Sequence, residues 1–276
     1  MKNIKADLPV LGENAYLIDS HCHLDMDSYE IDLAAVMDRA VKNQIRRIVT
    51  IGINLPSSRK AVLLSQKHPD LISATIGIHP HDAGNLKSGT YDKLGRLYAD
   101  HMDYIVGYGE IGLDYMKNYS PLDEQRHHFR RQLDLARELK LPVIIHNREA
   151  DDDTLTILKK ARPLHHGGIM HCFSGDYDFA RQVLDLGLLI SIPGIVTFTN
   201  AARLHDVVRK IPLTTLALET DGPFLAPHPF RGKRNEPSLM LYTAKKIAEL
   251  KNCSIEEVAR QTSANAEKLF QFDQRQ

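Results

Sequence analysis

The chain has 276 residues, 43% of them hydrophobic and 25% charged, the balance of an ordinary globular protein with enough material for a sizeable core. Lysine plus arginine equals aspartate plus glutamate at 35 each, which excludes a global positive field that would gather nucleic acid; such a substrate would need a local basic patch and bound metals. Three cysteines (Cys22, Cys172, Cys253) make no disulfide framework, Met1–Ala15 has lysines but no apolar signal-peptide stretch, and no apolar run nears the ~20 residues that span a bilayer, so a cytoplasmic protein is expected, with no membrane association and no obligate protein partner evident.

Along the chain, short runs rich in Val, Ile and Leu alternate with longer segments of helical period. The short runs have the pattern of parallel strands covered on both faces. They fall at Tyr16–His21, Arg47–Gly52, Ser73–Ile78, Tyr104–Glu110, Leu141–His146, Gly168–His171, Leu188–Ile192 and Leu216–Glu219. The clearest helix runs from Pro121 to Lys140, where Phe129, Leu133, Ala136 and Leu139 share one face and Pro121 marks the start. Asp151–Ala161, Tyr177–Leu186, Asn200–Lys210 and Ser238–Leu250 supply further helices. Ser254 with Glu257 is a capping box that opens a last helix running to about Phe270. Strand and helix alternating eight times in roughly 250 residues is the signature of a (β/α)8 TIM-barrel. The rival, a doubly wound open sheet, would want a Gly-rich dinucleotide loop after the first strand, and none occurs. With no repeat, low-complexity tract or shift in composition, one domain over residues 1–276 is expected.

The chemistry-bearing residues sit where a barrel would use them. His21, Glu110, His146, His171 and Asp221 each fall at the carboxyl end of an expected strand, and those ends converge on one rim. His23 follows His21 at the strand period of two, so both imidazoles face one way, with Asp19 on the same face. A single His-x-His pair is a weak signal and gains weight only from its partners elsewhere. Glu110 stands among Gly107, Gly109 and Gly112, beside apolar Ile111 and Leu113, which fits a ligand better than a solvated acid. Asp221, ending an apolar run, would be costly without a cation to face. Four imidazoles and two carboxylates are too many for one tetrahedral ion but suffice for two divalent ions (Mg, Mn, Zn, Ni or Co). Such a pair lowers the pKa of a shared water, with Asp221 placed to bind one ion and accept the water's proton. Glu219 is positioned to orient a ligand imidazole from behind.

Several blocks also resemble a known family, the TatD-related DNases of the amidohydrolase-like metal-dependent hydrolases. They are Ile18-Asp19-Ser20-His21-Cys22-His23-Leu24, Gly77-Ile78-His79-Pro80-His81, Gly109-Glu110-Ile111-Gly112-Leu113-Asp114-Tyr115, His146-Asn147-Arg148-Glu149-Ala150, His171-Cys172-Phe173-Ser174-Gly175, and Glu219-Thr220-Asp221 with Arg231-Gly232-Lys233-Arg234-Asn235-Glu236-Pro237. The resemblance covers nearly the whole chain and departs mildly at Gly222-Pro223-Phe224, where a small residue, Pro and often Tyr are usual. It implies a (β/α)8 barrel and hydrolysis of DNA phosphodiester bonds, of 3′–5′ exonuclease type. It implies metal ligands His21, His23, Glu110, His146, His171 and Asp221, with Glu110 bridging two ions, so that Glu110 and Asp221 are the catalytic pair.

DNA or a short oligonucleotide is then the expected substrate. His79, His81, Arg148, Arg231, Lys233 and Arg234 are the expected contacts to it, Arg148 because a guanidinium matches a phosphate bidentately. Tyr115 and Phe173 are candidates to stack on a base, whereas strand alternation turns Cys22 and Cys172 away from the site as packing residues. The alternative is an ester or amide hydrolase, for instance a D-aminoacyl-tRNA deacylase, since the same centre can attack carbon or phosphorus. A barrel that only binds a partner would have no need of six intact ligands.

Overall fold

The computed structural model describes residues 7–117 and 119–272; the start of Met1–Ala15, through residue 6, lies outside the described residues. Eight parallel strands follow one another in spatial order: β1 (Leu17–Cys22), β2 (Ile45–Thr50), β3 (Ile72–Ile76), β4 (Ile105–Asp114), β5 (Val143–Arg148), β6 (Gly168–Met170), β7 (Leu189–Ile192) and β8 (Leu216–Leu218). The first and last strands meet at a single parallel bridge, Cys22 to Gly222, so the barrel is nearly closed. The helices between and after them are α1 (Leu33–Lys42), α2 (Leu55–Lys67), α3 (Thr90–His101), α4 (Leu122–Glu138), α5 (Asp151–Lys160), α6 (Tyr177–Asp185), α7 (Ala202–Lys210), α8 (Met240–Lys251) and α9 (Ile255–Phe270). This is the expected (β/α)8 barrel. Among the described residues, no helix is long and apolar enough to cross a membrane.

The strand period of two divides the apolar side chains into two buried clusters. Neighbours such as Val143 and Ile144, or Leu216 and Ala217, go to opposite ones. The larger cluster joins strand residues to the inner faces of the helices, for instance Val36, Ala61, Phe129 and Leu158. The smaller takes Ile18, Val49, Val106, Ile144, Ile169 and Ala217 from the strands and fills the barrel interior. Phe270 and Phe272, at the end of α9, belong to the inner cluster and plug the barrel at its amino-terminal end. The carboxyl-terminal end is left to polar groups.

Two expectations shift. The fourth strand runs on to Asp114 instead of stopping at Glu110, with register breaks against both neighbours. Such bulges re-aim side chains, and this one lets Glu110 and Asp114 both serve the rim. Pro121 caps α4 instead of opening it, and Gln125 and Gln132 are buried on that helix beside Phe129, Leu133 and Ala136. Helix α2 presents Ser57, Ser58 and Ser65 at buried positions, which hides its inner face from a hydrophobicity pattern.

Candidate metal centre

The expected ligands arrive from five elements. His21 is the next-to-last residue of β1 and His23 follows the strand; β4 carries Glu110, β5 carries His146, His171 follows β6, and Asp221 lies beyond β8. The seam between β1 and β8 fixes three of them. Asp221 N–H donates to the His21 carbonyl at 2.9 Å, and His23 N–H donates to the Gly222 carbonyl at 2.7 Å. Buried Asp19 ties the same seam from below, accepting from Thr220 N–H at 2.9 Å, the Thr220 hydroxyl at 2.5 Å and His21 N–H at 3.2 Å.

Glu110 divides the site. Its Oε2 lies 3.4 Å from His21 Nε2 and 3.9 Å from His23 Nε2. Its Oε1 lies 2.7 Å from His146 Nδ1, 3.3 Å from His171 Nε2 and 3.5 Å from His79 Nε2. Asp221 Oδ1 faces the first group, 3.4 Å from His23 Nε2 and 3.8 Å from His21 Nε2. Four compact ligand sets result among the described residues: His21 with His23 and Asp221, His21 with Glu110 and His171, His79 with Glu110 and His146, and His171 with Cys172 and Asp221; within each, the ligand atoms lie within 4.8 Å of one another.

These sets fit divalent cations. The two Nε2 atoms of His21 and His23 are 3.3 Å apart, and two ligands each ~2.0–2.1 Å from a tetrahedral ion stand ~3.3 Å apart. The Nε2 atoms of both rings turn toward the Glu110 and Asp221 carboxylates, while His21 Nδ1 and His23 Nδ1 are buried without a hydrogen-bond partner. The charge balance points the same way. Burial opposes a charge on Glu110, but His171, His79, His146 and His21 together hold its carboxyl well below the usual range. Burial also opposes a charge on His171, yet Glu219, Glu110 and Asp221 raise its imidazole to about 10. The carboxylates that retain a proton there are equally suited to a metal cation. His79 goes the other way, held neutral to about 4 chiefly by burial.

Glu219 stands behind His171 as expected. Its carboxylate is 3.1 Å from His171 Nδ1 and accepts Cys172 N–H at 2.7 Å, which leaves His171 Nε2 to face the site.

His79, expected among the substrate contacts, lines the cavity and also falls in a candidate ligand set with Glu110 and His146. Other expectations need correction. Cys172 is not turned away: β6 ends at Met170, alternation lapses, and a φ of 47° brings the Cys172 sulfur into a set with His171 and Asp221. Cys22 is the packing residue expected, buried with its thiol on the Gly222 carbonyl at 3.6 Å. Phe173 is buried and stacks on Phe179, and the Tyr115 hydroxyl bonds Asp153 under the Arg126 guanidinium, so neither ring is free to take a base.

The basic run after β8 also departs from expectation. None of Arg231, Lys233 and Arg234 lines the cavity over the ligands. Arg234 grips Asp32 with both terminal nitrogens at 2.7 Å, and Arg231 lies over Phe198. Arg39 holds Glu236 in the same bidentate way, and buried Asn235 donates to the Thr220 carbonyl at 2.8 Å. This loop is therefore a latch that ties the Asp221 segment to α1, with Arg234 and Glu236 committed to internal pairs.

Sequence reasoning passed over Asp114. Fully buried, it accepts Met116 and Lys117 N–H through Oδ1 and sets Oδ2 2.8 Å from His81 Nε2 and 3.2 Å from His146 Nε2. The signal was available, since Glu110, Gly112 and Asp114 recur at the strand period. Above the ligands opens a cavity of about 640 Å³ whose walls include His81, Arg148, Met26, Ile195 and Phe224.

A family profile described as "TatD related DNase" matches residues 18–271. An uncharacterized metal-dependent hydrolase of Bacillus subtilis, YabD, is 44% identical over 93% of this chain and 100% of its own. An uncharacterized metal-dependent hydrolase of Escherichia coli, YcfH, is 38% identical over 94% of this chain and 97% of its own. The crystal structure of the E. coli TatD homolog YJJV superimposes with a TM-score of 0.88 at 29% identity, covering 92% of this chain and 98% of the other. With whole-length relatives named as metal-dependent hydrolases and a rim able to hold metal, this chain belongs to the TatD-related DNase family as one of its metal-dependent hydrolases.

Proposed function

We propose that this protein is a deoxyribonuclease of 3′–5′ exonuclease type, working with two divalent ions held by His21, His23, Glu110, His146, His171 and Asp221. The observation that carries this reading is the split of Glu110, with one carboxylate oxygen toward His21 and His23 and the other toward His146 and His171. A carboxylate so placed suits a bridge between two ions, and His79 is a further candidate ligand on the Oε1 side. Bound ions supply charge stabilisation at the phosphoryl group and a water of lowered pKa.

The chain's own groups do the rest. Asp221 sits at the edge of the cavity with its carboxyl held below the ordinary value, burial being outweighed by His23, His171 and His21. It is thus an ionised base within reach of an attacking water. Arg148 on the cavity wall offers two parallel N–H donors to a phosphate. Asp114 fixes the His81 ring at the same wall. A cavity of about 640 Å³ suits a terminal nucleotide better than intact duplex.

The test is digestion of a 3′-labelled single-stranded oligonucleotide by metal-loaded protein, with D-aminoacyl-tRNA turnover assayed in parallel. Expected are metal-dependent release of mononucleotides and a loss of at least ~100-fold in kcat for Asp221→Asn. An intact oligonucleotide, or turnover of D-aminoacyl-tRNA alone, would overturn the reading.

A further inference from the structure

The cavity has one wall that the metal chemistry does not use. Phe224 is half exposed at 49%, lines the cavity, and is the one phenyl, phenol or indole ring among the described lining residues. Its position is set by the ligand segment itself. Phe224 N–H donates to the Asp221 carbonyl at 2.9 Å, closing a tight turn, and Gly222 N–H donates to the Thr220 hydroxyl at 3.2 Å. The latch residue Asn235 holds that turn from behind through Pro223, its N–H reaching the Pro223 carbonyl at 2.9 Å. The ring therefore stands edge-on to His23, centroid to centroid 6.1 Å at 70°, with Met26 and Leu225 in the same wall.

Single exposed apolar side chains are common on a protein surface, but this ring is exposed into the cavity over the candidate ligands, where a bound planar group would cover it. We infer that Phe224 is a stacking platform for the terminal nucleobase of the substrate, beside the metal end of the cavity where the phosphate would sit. The inference rests on the nuclease reading for its ligand and adds the subsite that reads the base. A planar base has a π-face in every sequence, so the platform favours nucleotides over base-free phosphates without choosing among bases. Tyr115 and Phe173 cannot serve, being committed to Asp153 and Phe179. Tyr119, 64% exposed, packs edge-on against His81 at 4.7 Å and lies outside the lining.

The probe is the 5′-monophosphate of 2-aminopurine deoxyribonucleoside, which mimics the released nucleotide and whose fluorescence falls when the base stacks. Deoxyribose 5-phosphate, lacking the base, is the control ligand. Expected is quenched, saturable binding to the metal-loaded wild type. Phe224→Ala is expected to weaken it by between ~5- and ~150-fold and abolish the quench, as loss of ~1–3 kcal/mol of stacking requires. Phe224→Tyr is expected to keep both, and deoxyribose 5-phosphate to bind wild type and Phe224→Ala alike. Equal weakening of both ligands, or an unchanged quench in Phe224→Ala with an unchanged melting temperature, would overturn the inference. Because this readout is binding, an oligonucleotide that is cut while Phe224→Ala binds normally defeats only the platform. An oligonucleotide left intact by wild type defeats the nuclease reading.

Discussion

Glu219 shows how the site is controlled from outside its ligands. It is fully buried, is not in the lining of the cavity over the candidate ligands, and gives both oxygens to the His171 ring and the Cys172 backbone. Replacing it by Gln removes the charge that orients His171 and makes it a better donor to a cation. Metal affinity is expected to fall by roughly 10–100-fold, with little change in melting of the metal-free protein. Chelator competition measures this, and an unchanged affinity would assign Glu219 to packing alone. His146 and His171 stand out in sequence only together: a lone imidazole after an apolar run is more often a hydrogen-bonded core residue, but two at equivalent strand ends beside the other candidates point to one rim. Cys172 and Phe173 are not legible, since the strand ends before them and a left-handed backbone at Cys172 redirects the chain from that point. The pairing of Arg234 with Asp32, 202 residues apart, is a tertiary fact that a local basic run does not announce.

At the scale of elements, β4 against β5 is the critical seam. Gly112 has a φ of 144°, and a Cβ there would lie 1.9 Å from the His146 carbonyl oxygen. No side-chain adjustment relieves a clash with backbone. Gly112→Ala is therefore expected to destabilise by at least about 2–3 kcal/mol and to displace His146. Denaturant unfolding checks the first effect and metal binding the second; a variant as stable as wild type would contradict the close approach. Strand and helix order was readable from periodicity because buried parallel strands are continuously apolar. The extension of β4 to Asp114 was harder to read, because a bulge among glycines breaks the pattern that marks a strand's end.

Across the whole molecule, one end of the barrel is plugged by Phe270 and Phe272 and the other is opened to polar chemistry. Zero net charge provides no long-range steering, so in the proposed function substrate capture would fall to the rim, where Arg148 lines the cavity. The latch between the last loop and α1 joins the two ends of the chain's ligand set, so the first and last thirds of the sequence fold into one site. We propose that Glu110 would bridge a pair of ions in that site. This bridging is tested most directly by titrating metal-free protein with Mn(II) while following bound metal and its electron paramagnetic resonance. Two ions per chain with an exchange-coupled signal, lost in Glu110→Ala, is the predicted result. Saturation at one ion per chain, or two ions with no coupling, would contradict it.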